Sequence, residues 1–261
     1  MLPGLDCLHA LADAADAVTL PLFRSKLAIE GKSSPAKPFF DPVTEADRGA
    51  ERAMRAVLAR LHPDHGILGE EYPPTNADAR LIWHLDPVDG TRQFVTGVPL
   101  WGTLAGLAVD GVPTLGLLSQ PFTRERFLAV PGQAIHRGPD GVERPMATAP
   151  CAGLDEASLF TTSPELMKGE TGERFHALSR AVRITRYGID CYAFGLVALG
   201  LVDIAVEAGV QSYDVMALEP LVREAGGAMV HWDGSPLRGG GDVVAVGDRS
   251  LLPRVLAILG A

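Results

Sequence analysis

The sequence predicts an α/β fold of the α+β kind, with a mostly antiparallel sheet in the first half and a smaller mixed sheet with helices in the second. Three observations carry this. Two amphipathic helical series open the chain, a run of strand-like segments joined by turn signals follows, and further on short apolar strands alternate with helical patterns.

The first series runs from Leu5 to Phe23, where Leu8, Leu11, Ala12, Ala15, Val18 and Leu22 recur at helical spacing; the second, Ala50, Met54, Val57, Leu58 and Leu61, follows Thr44. Between them Gly31 to Pro42 is rich in turn formers and reads as a loop directed at the active site. Ile67-Leu68 and Leu81-Ile82-Trp83-His84-Leu85 read as strands, the second ending at Asp86. The runs 101–109, 114–120 and 126–130 are strand-like, with Asp110-Gly111 as one of the turns, and predict an antiparallel meander. Pro131 to Gly153, rich in Pro, Gly and Ala, reads as the least structured region and the boundary between halves 1–135 and 136–261. Strands near Leu159, Val182-Ile184, Val202-Val206, Ala228-His231 and Val243-Val246 are expected beyond it.

The chain of 261 residues is 47% hydrophobic, enough to bury a large core. Its 23 Lys and Arg against 32 Asp and Glu give a net charge of −9, with the basic residues scattered. Nucleic acid is therefore not the expected ligand, because its backbone demands a clustered positive surface. Three widely spaced cysteines, Cys7, Cys151 and Cys191, suggest neither a disulfide framework nor a structural zinc site, which fits a reducing cytoplasm. The N-terminal residues carry no secretion pattern, and no apolar run approaches the roughly 20 residues that span a bilayer.

The most specific local signal is Asp86-Pro87-Val88-Asp89-Gly90-Thr91, directly after an apolar strand. Two side chains and the Val88 carbonyl can converge on one hard cation such as Mg²⁺, while the Gly-Thr turn opening a helix offers amides to a phosphate. Close carboxylates repel unless a cation or proton compensates. Glu70, after the short strand at Ile67-Leu68, and Asp214, at the start of a helical series interrupted by Pro220, complete a candidate oxygen cage. Each of these acids alone is equally well explained as a turn former or helix cap. Thr44-Glu45-Ala46-Asp47 is a capping box with Asp in place of the usual Glu or Gln; its rival role is for Asp47 to take a proton from Thr91 or from a shared water. No G-x-S-x-G, Walker or H-E-x-x-H motif is present, and His62-Pro63-Asp64-His65 reads as a structural turn.

These pieces, Asp41-Pro42-Val43-Thr44-Glu45-Ala46-Asp47, Gly69-Glu70-Glu71, Asp86 to Thr91 and Tyr213-Asp214-Val215-Met216-Ala217 with Gly226-Gly227 beyond, occur in an order that resembles the inositol monophosphatase-like family. Tyr213 stands where that family usually has Trp. The resemblance implies a layered α-β-α-β-α architecture, Mg²⁺ dependence with two or three ions, lithium sensitivity, a homodimer and a small phosphomonoester substrate. It also implies metal ligation by Glu70, Asp86, the Val88 carbonyl, Asp89 and Asp214, phosphate contacts from Gly90 and Thr91, and water activation by Asp47, Glu70 and Thr91. Glu207 matches a position that meets a polar group of the substrate.

Within the family, Thr91-Arg92-Gln93-Phe94-Val95-Thr96-Gly97, Pro99-Leu100-Trp101-Gly102-Thr103 and Asp190-Cys191-Tyr192 resemble the histidinol-phosphate phosphatase branch. That likeness implies hydrolysis of L-histidinol phosphate in histidine biosynthesis, with Arg92 near substrate or a neighbouring subunit. Asp190 would meet an ammonium or imidazole, or else serve as a cap for the helix near Cys191. The alternatives are an inositol phosphate phosphatase or, from a different class, a regulatory or RNA-associated member of the fold; the intact acidic set and the lack of a basic patch favour catalysis.

Overall fold

In a computed structural model of the protein, residues 2–31 and 42–260 are described; the turn-rich stretch expected to approach the site lies, from 32 to 41, outside them. The chain begins with α1 (Leu5–Leu22), passes through the short β1 (Glu30–Gly31) and β2 (Pro42–Val43), and enters α2 (Glu45–Leu61). Thr44 caps α2 as the sequence predicts: its hydroxyl accepts from the Ala46 amide at 3.1 Å, and Asp47 accepts from the Thr44 amide at 2.8 Å.

Next come β3 (Gly66–Gly69), β4 (Leu81–Asp89) and the six-residue α3 (Thr91–Thr96). The meander follows as β5 (Gly102–Val109), β6 (Val112–Gln120) and β7 (Glu125–Val130). It does not stop there. Pro131 to Gly153, expected to be least structured, contains β8 (Gln133–Arg137) and β9 (Glu143–Pro145), and the expected junction at 135/136 falls inside β8. These strands are hidden in the sequence because β8 buries only the adjacent Ala134 and Ile135, while β9, at the sheet's edge, is exposed throughout, so no apolar alternation marks either. The seven strands lie in the order β3-β4-β5-β6-β7-β8-β9, antiparallel except for the parallel β3-β4 pair.

The rest of the chain runs through β10 (Ser158–Thr161), α4 (Gly169–Ala181), β11 (Ile184–Tyr187), α5 (Tyr192–Ala198), β12 (Ile204–Val210), α6 (Ser212–Val215), α7 (Leu218–Glu224), β13 (Ala228–His231), β14 (Gly241–Val246) and α8 (Leu252–Leu259). Its five strands form a mixed sheet in the order β11-β10-β12-β14-β13.

Side-chain alternation assigns the layers. Leu85, Leu107, Leu117 and Leu128 point from one face of the large sheet to Leu8, Leu11, Met54 and Leu58 of α1 and α2. Leu104, Leu118 and Phe127 point from the other face into a central layer made by Phe194 and Val197 of α5 with Leu218, Leu221 and Val222 of α7. Ala205, Val243 and Ala245 of the small sheet close that layer, whereas Ile204, Val206, Val244 and Val246 pack outward on Phe175 and Leu178 of α4 and on Val255 and Leu259 of α8. The result is the α-β-α-β-α stacking that the resemblance implied. A polar anchor joins the first two layers: the buried Arg126 of β7 pairs with the exposed Asp13 at 2.6 Å and the half-buried Asp16 at 2.9 Å on α1. Among the described residues no helix is long and apolar enough to cross a membrane.

Pro220 leaves its expected mark. The helical pattern after Ser212 is split into α6 and α7, because Pro220 cannot donate to the Met216 carbonyl four residues back. The backbone freed at Met216-Ala217 lies directly on Gly106 of β5 and Gly116 of β6, where a Cβ would collide with it. Gly116→Ala is expected to destabilise the protein by about 1–3 kcal/mol through overpacking, measured as a shift in the urea unfolding midpoint with unchanged slope.

Candidate active site

Asp86 and Asp89 are three positions apart, so a regular strand would send them to opposite faces of the sheet. The register between β4 and β5 shifts between these two residues, and this bulge brings both carboxylates to the same side. There they meet Asp214, the third residue of α6. Oxygen atoms of Asp86, Asp89 and Asp214 all lie within 4.8 Å of one another.

Each acid is held by local backbone. Asp86 accepts from the Val88 amide at 3.0 Å, Asp89 from the Cys191 amide at 2.8 Å, and Asp214 from the Gln211 amide at 2.7 Å. The last bond is the N3 arm of a capping box, the same device that holds Asp47 on α2. Ser212 of α6 is tied to His84 of β4 at 3.0 Å, which fixes the helix against the strand two residues before Asp86. Burial pushes that histidine down to about 4, so it stays neutral.

Burial and mutual repulsion raise the acids. Asp86, 3% exposed, is well above the ordinary carboxylate range, first through desolvation and then through the charges of Glu70, Asp89, Asp214 and Asp47. Desolvation and Glu70 also raise Asp89, against the Cys191 hydrogen bond, and desolvation raises Asp47. Glu70, just past β3, thus acts electrostatically on the cluster, although its carboxylate is not among the three grouped within 4.8 Å. A set of converging, hydrogen-bonded carboxylate oxygens, from one buried and two partly buried acids, fits a hard divalent ion.

Gly90 follows directly, with φ of 84°. Glycine is required there twice over, for the left-handed backbone and because a Cβ would come within 2.8 Å of Asp190 Oδ2. The Thr91 hydroxyl lies 3.0 Å from the Val88 carbonyl and 3.3 Å from Asp47 Oδ1, bringing together the pair that the sequence suggested. Its single proton can serve one of these acceptors at a time.

On the far side of Gly90 stand Asp190 and Glu207, both 7% exposed. Asp190 takes a left-handed φ of 41°, and its Oδ1 is buried without a hydrogen-bond partner. Desolvation and the Asp89 charge raise it to about 7, partly offset by the Thr162 hydroxyl and by Arg92, an exposed residue of α3. Glu207 on β12 is raised to about 8 by burial and accepts from the Thr162 amide at 2.6 Å and hydroxyl at 2.9 Å. Thr162, Ser212 and the Cys191 amide were not singled out by sequence reasoning: Thr162 and Ser212 belong to no motif, Cys191 stood only beside Asp190, and each acts through a contact distant along the chain.

The family model of the inositol monophosphatase family matches residues 3–260. The chain belongs to this family. It is 40% identical over 241 residues to a histidinol-phosphatase of Mycobacterium tuberculosis, covering 90% of each chain. It is 36% identical to a chloroplastic bifunctional phosphatase of Arabidopsis thaliana, over 96% of this chain and 73% of that one. Among solved structures, an inositol monophosphatase from Zymomonas mobilis superposes with a TM-score of 0.86 at 41% identity, covering 98% of this chain and 97% of the other. Members of the family are metal-dependent phosphatases.

The helix that delivers Asp190 and Cys191 is itself moored by Glu125 of β7. Its carboxylate accepts from the Tyr192 hydroxyl at 2.8 Å and pairs with His136 at 3.0 Å. The His136 bond, with those of Thr123 and Tyr192, holds Glu125 down to about 2 against its burial. Because the folded value lies below the unfolded one, the stabilisation is complete above about pH 4.5 and is lost as pH falls towards 2. Glu125→Gln is therefore expected to cost about 1–3 kcal/mol at pH 7, with the gap to wild type closing below pH 4.5 in denaturant unfolding.

Proposed function

We propose that the protein is a Mg²⁺-dependent phosphomonoesterase that hydrolyses L-histidinol phosphate to L-histidinol and phosphate, a step in histidine biosynthesis. The observation that carries the phosphatase part is the convergence of Asp86, Asp89 and Asp214 beside the Gly90-Thr91 turn. Glu70, Asp86, the Val88 carbonyl, Asp89 and Asp214 would hold two or three Mg²⁺ ions, and lithium is expected to inhibit. Bound there, the ions would neutralise phosphate charge and acidify the attacking water. Asp47, fixed by Thr44 and within 3.3 Å of the Thr91 hydroxyl, orients that water and takes its proton with Thr91 and Glu70 nearby. The amides of Gly90 and Thr91 face the phosphate.

Asp190 and Glu207 favour histidinol phosphate over a neutral polyol phosphate. Two buried carboxylates beside the phosphate turn, one with an unpartnered oxygen, suit a leaving alcohol that carries an ammonium and an imidazole. The likeness to a histidinol-phosphatase at 40% identity supports the same substrate, whereas the Zymomonas mobilis structure keeps inositol 1-phosphate as the competing reading. Arg92 would stand at the rim, near substrate or a partner subunit. A homodimer in the reducing cytoplasm is the expected setting, in keeping with three free cysteines.

The deciding experiment is phosphate release with Mg²⁺ from histidinol phosphate, inositol 1-phosphate, fructose 1,6-bisphosphate and a nucleotide 3′-phosphate. Histidinol phosphate is expected to give the highest kcat/KM; a preference for inositol 1-phosphate would overturn the substrate assignment. Asp89→Asn or Asp214→Asn is expected to lower kcat at least about 100-fold, equivalent to a few kcal/mol of lost charge stabilisation, with an unchanged circular dichroism spectrum. Chelation should abolish turnover and added Mg²⁺ restore it. Asp190→Asn should raise KM for histidinol phosphate about tenfold, the worth of one charge-assisted hydrogen bond, while leaving the rate on inositol 1-phosphate nearly unaltered.

A further inference from the structure

We propose that Glu51 is a positioning residue for Glu70: it clamps the loop that carries Glu70 to the same helix face that carries Asp47. This inference rests on the metal reading above.

Glu51 is a fully buried carboxylate on α2, 0% exposed, and it lies outside every motif used so far. It follows Asp47 by four positions, so the two acids share one face of the helix, one turn apart. Its two oxygens do different work. Oε1 accepts from Arg55 Nε at 2.7 Å, within the helix, while Oε2 accepts from the backbone amide of Glu71 at 2.7 Å, across to the loop after β3. Arg55 then extends to the same loop, donating to the Thr75 hydroxyl at 3.0 Å and the Tyr72 carbonyl at 3.2 Å. Arg52, one turn earlier on α2, donates to the Tyr72 hydroxyl at 2.8 Å.

The loop is shaped to receive this carboxylate. Gly69 lies against it so closely that a Cβ there would collide with the Glu51 carboxyl group. Gly69 precedes Glu70 and the clamped amide belongs to Glu71, so Glu70 is bracketed on both sides. The Glu70 amide is in turn bonded to the Leu85 carbonyl of β4 at 3.1 Å, next to Asp86. Glu70 is thus suspended between β4 and α2, and α2 sets the spacing of two site acids at once, Asp47 directly and Glu70 through Glu51. Groups that orient metal ligands from outside the coordination sphere commonly change metal affinity 10- to 100-fold when removed.

The test is Mg²⁺ binding to the full chain by titration calorimetry, with no substrate present. Glu51→Gln keeps the size of the side chain but presents an amide N–H₂ to the Arg55 or Glu71 donor, breaking one arm of the clamp. Gly69→Ala leaves every charge in place and pushes the carboxylate off the loop. Each variant is expected to raise the Mg²⁺ Kd about 10-fold or more, and the melting temperature of the metal-free protein serves as the measure of folding. Should Glu51→Gln fail to fold, Gly69→Ala decides. If wild type binds Mg²⁺ and a folded variant binds it with the same Kd, merely melting lower, Glu51 is structural and the inference is overturned. If wild type itself binds no Mg²⁺, the metal reading falls and takes this inference with it.

Discussion

The constraint on which the rest depends is the repulsion among carboxylates gathered at the end of β4. Two unit charges about 4 Å apart repel by about 4 kcal/mol in an effective dielectric of about 20, and Asp86, Asp89 and Asp214 are at such spacings with Glu70 and Asp47 acting on them as well. The fold supplies backbone amides, one each to Asp86, Asp89 and Asp214. These hold the acids in place without cancelling their charge, which is what a binding site for a divalent cation needs and a stable core does not.

Holding such a cluster requires elements from every part of the chain. A bulge in β4 turns Asp86 and Asp89 to one side, the N-terminus of α6 brings Asp214, and the N-terminus of α2 brings Asp47. Asp47 and Asp214 arrive by the same means. Each is the N3 residue of a capping box, with one oxygen engaged by the amide of the cap residue, so capping does not exclude the role proposed for these acids. A helix start orients the carboxylate, and its dipole favours the ionised form.

Much of this was legible because it is local. The amphipathic period of α1 and α2, the meander turns and the Asp86-to-Thr91 segment each declare themselves within a few residues. The outermost strand β9 escaped because an edge exposed to water need not alternate, and β8 because its two buried apolar residues, Ala134 and Ile135, are adjacent instead of alternating. His84 was visible only as part of an apolar run; its bond to Ser212 spans 128 residues. Glu207 was found by likeness, but the Thr162 amide and hydroxyl that hold it are 45 residues away and carry no signature. Glu51 shows the remaining kind of blindness. Its spacing from Asp47 and Arg55 was in plain view, yet a charged residue in an amphipathic helix is read as solvent-facing until the loop that buries it is known.

The central helical layer explains how the small sheet takes part in a site built mainly on the large one. An unbroken helix from Ser212 onward would have to run as one rod between the sheets. Because Pro220 ends the hydrogen-bond ladder, the chain instead turns at Met216-Ala217, and this turn rests its backbone on Gly106 and Gly116 without intervening side chains. That close approach brings α6 down onto β4, where Ser212 reaches His84 and Asp214 reaches Asp86. On the other side of the layer, α5 is drawn to β7 by Tyr192 and Glu125, and its first residues bring the Cys191 amide to Asp89 and Asp190 to Gly90. The position of the acids therefore depends on two small-residue contacts and on the part-buried Tyr192–Glu125 hydrogen bond, set around a layer that is otherwise apolar packing.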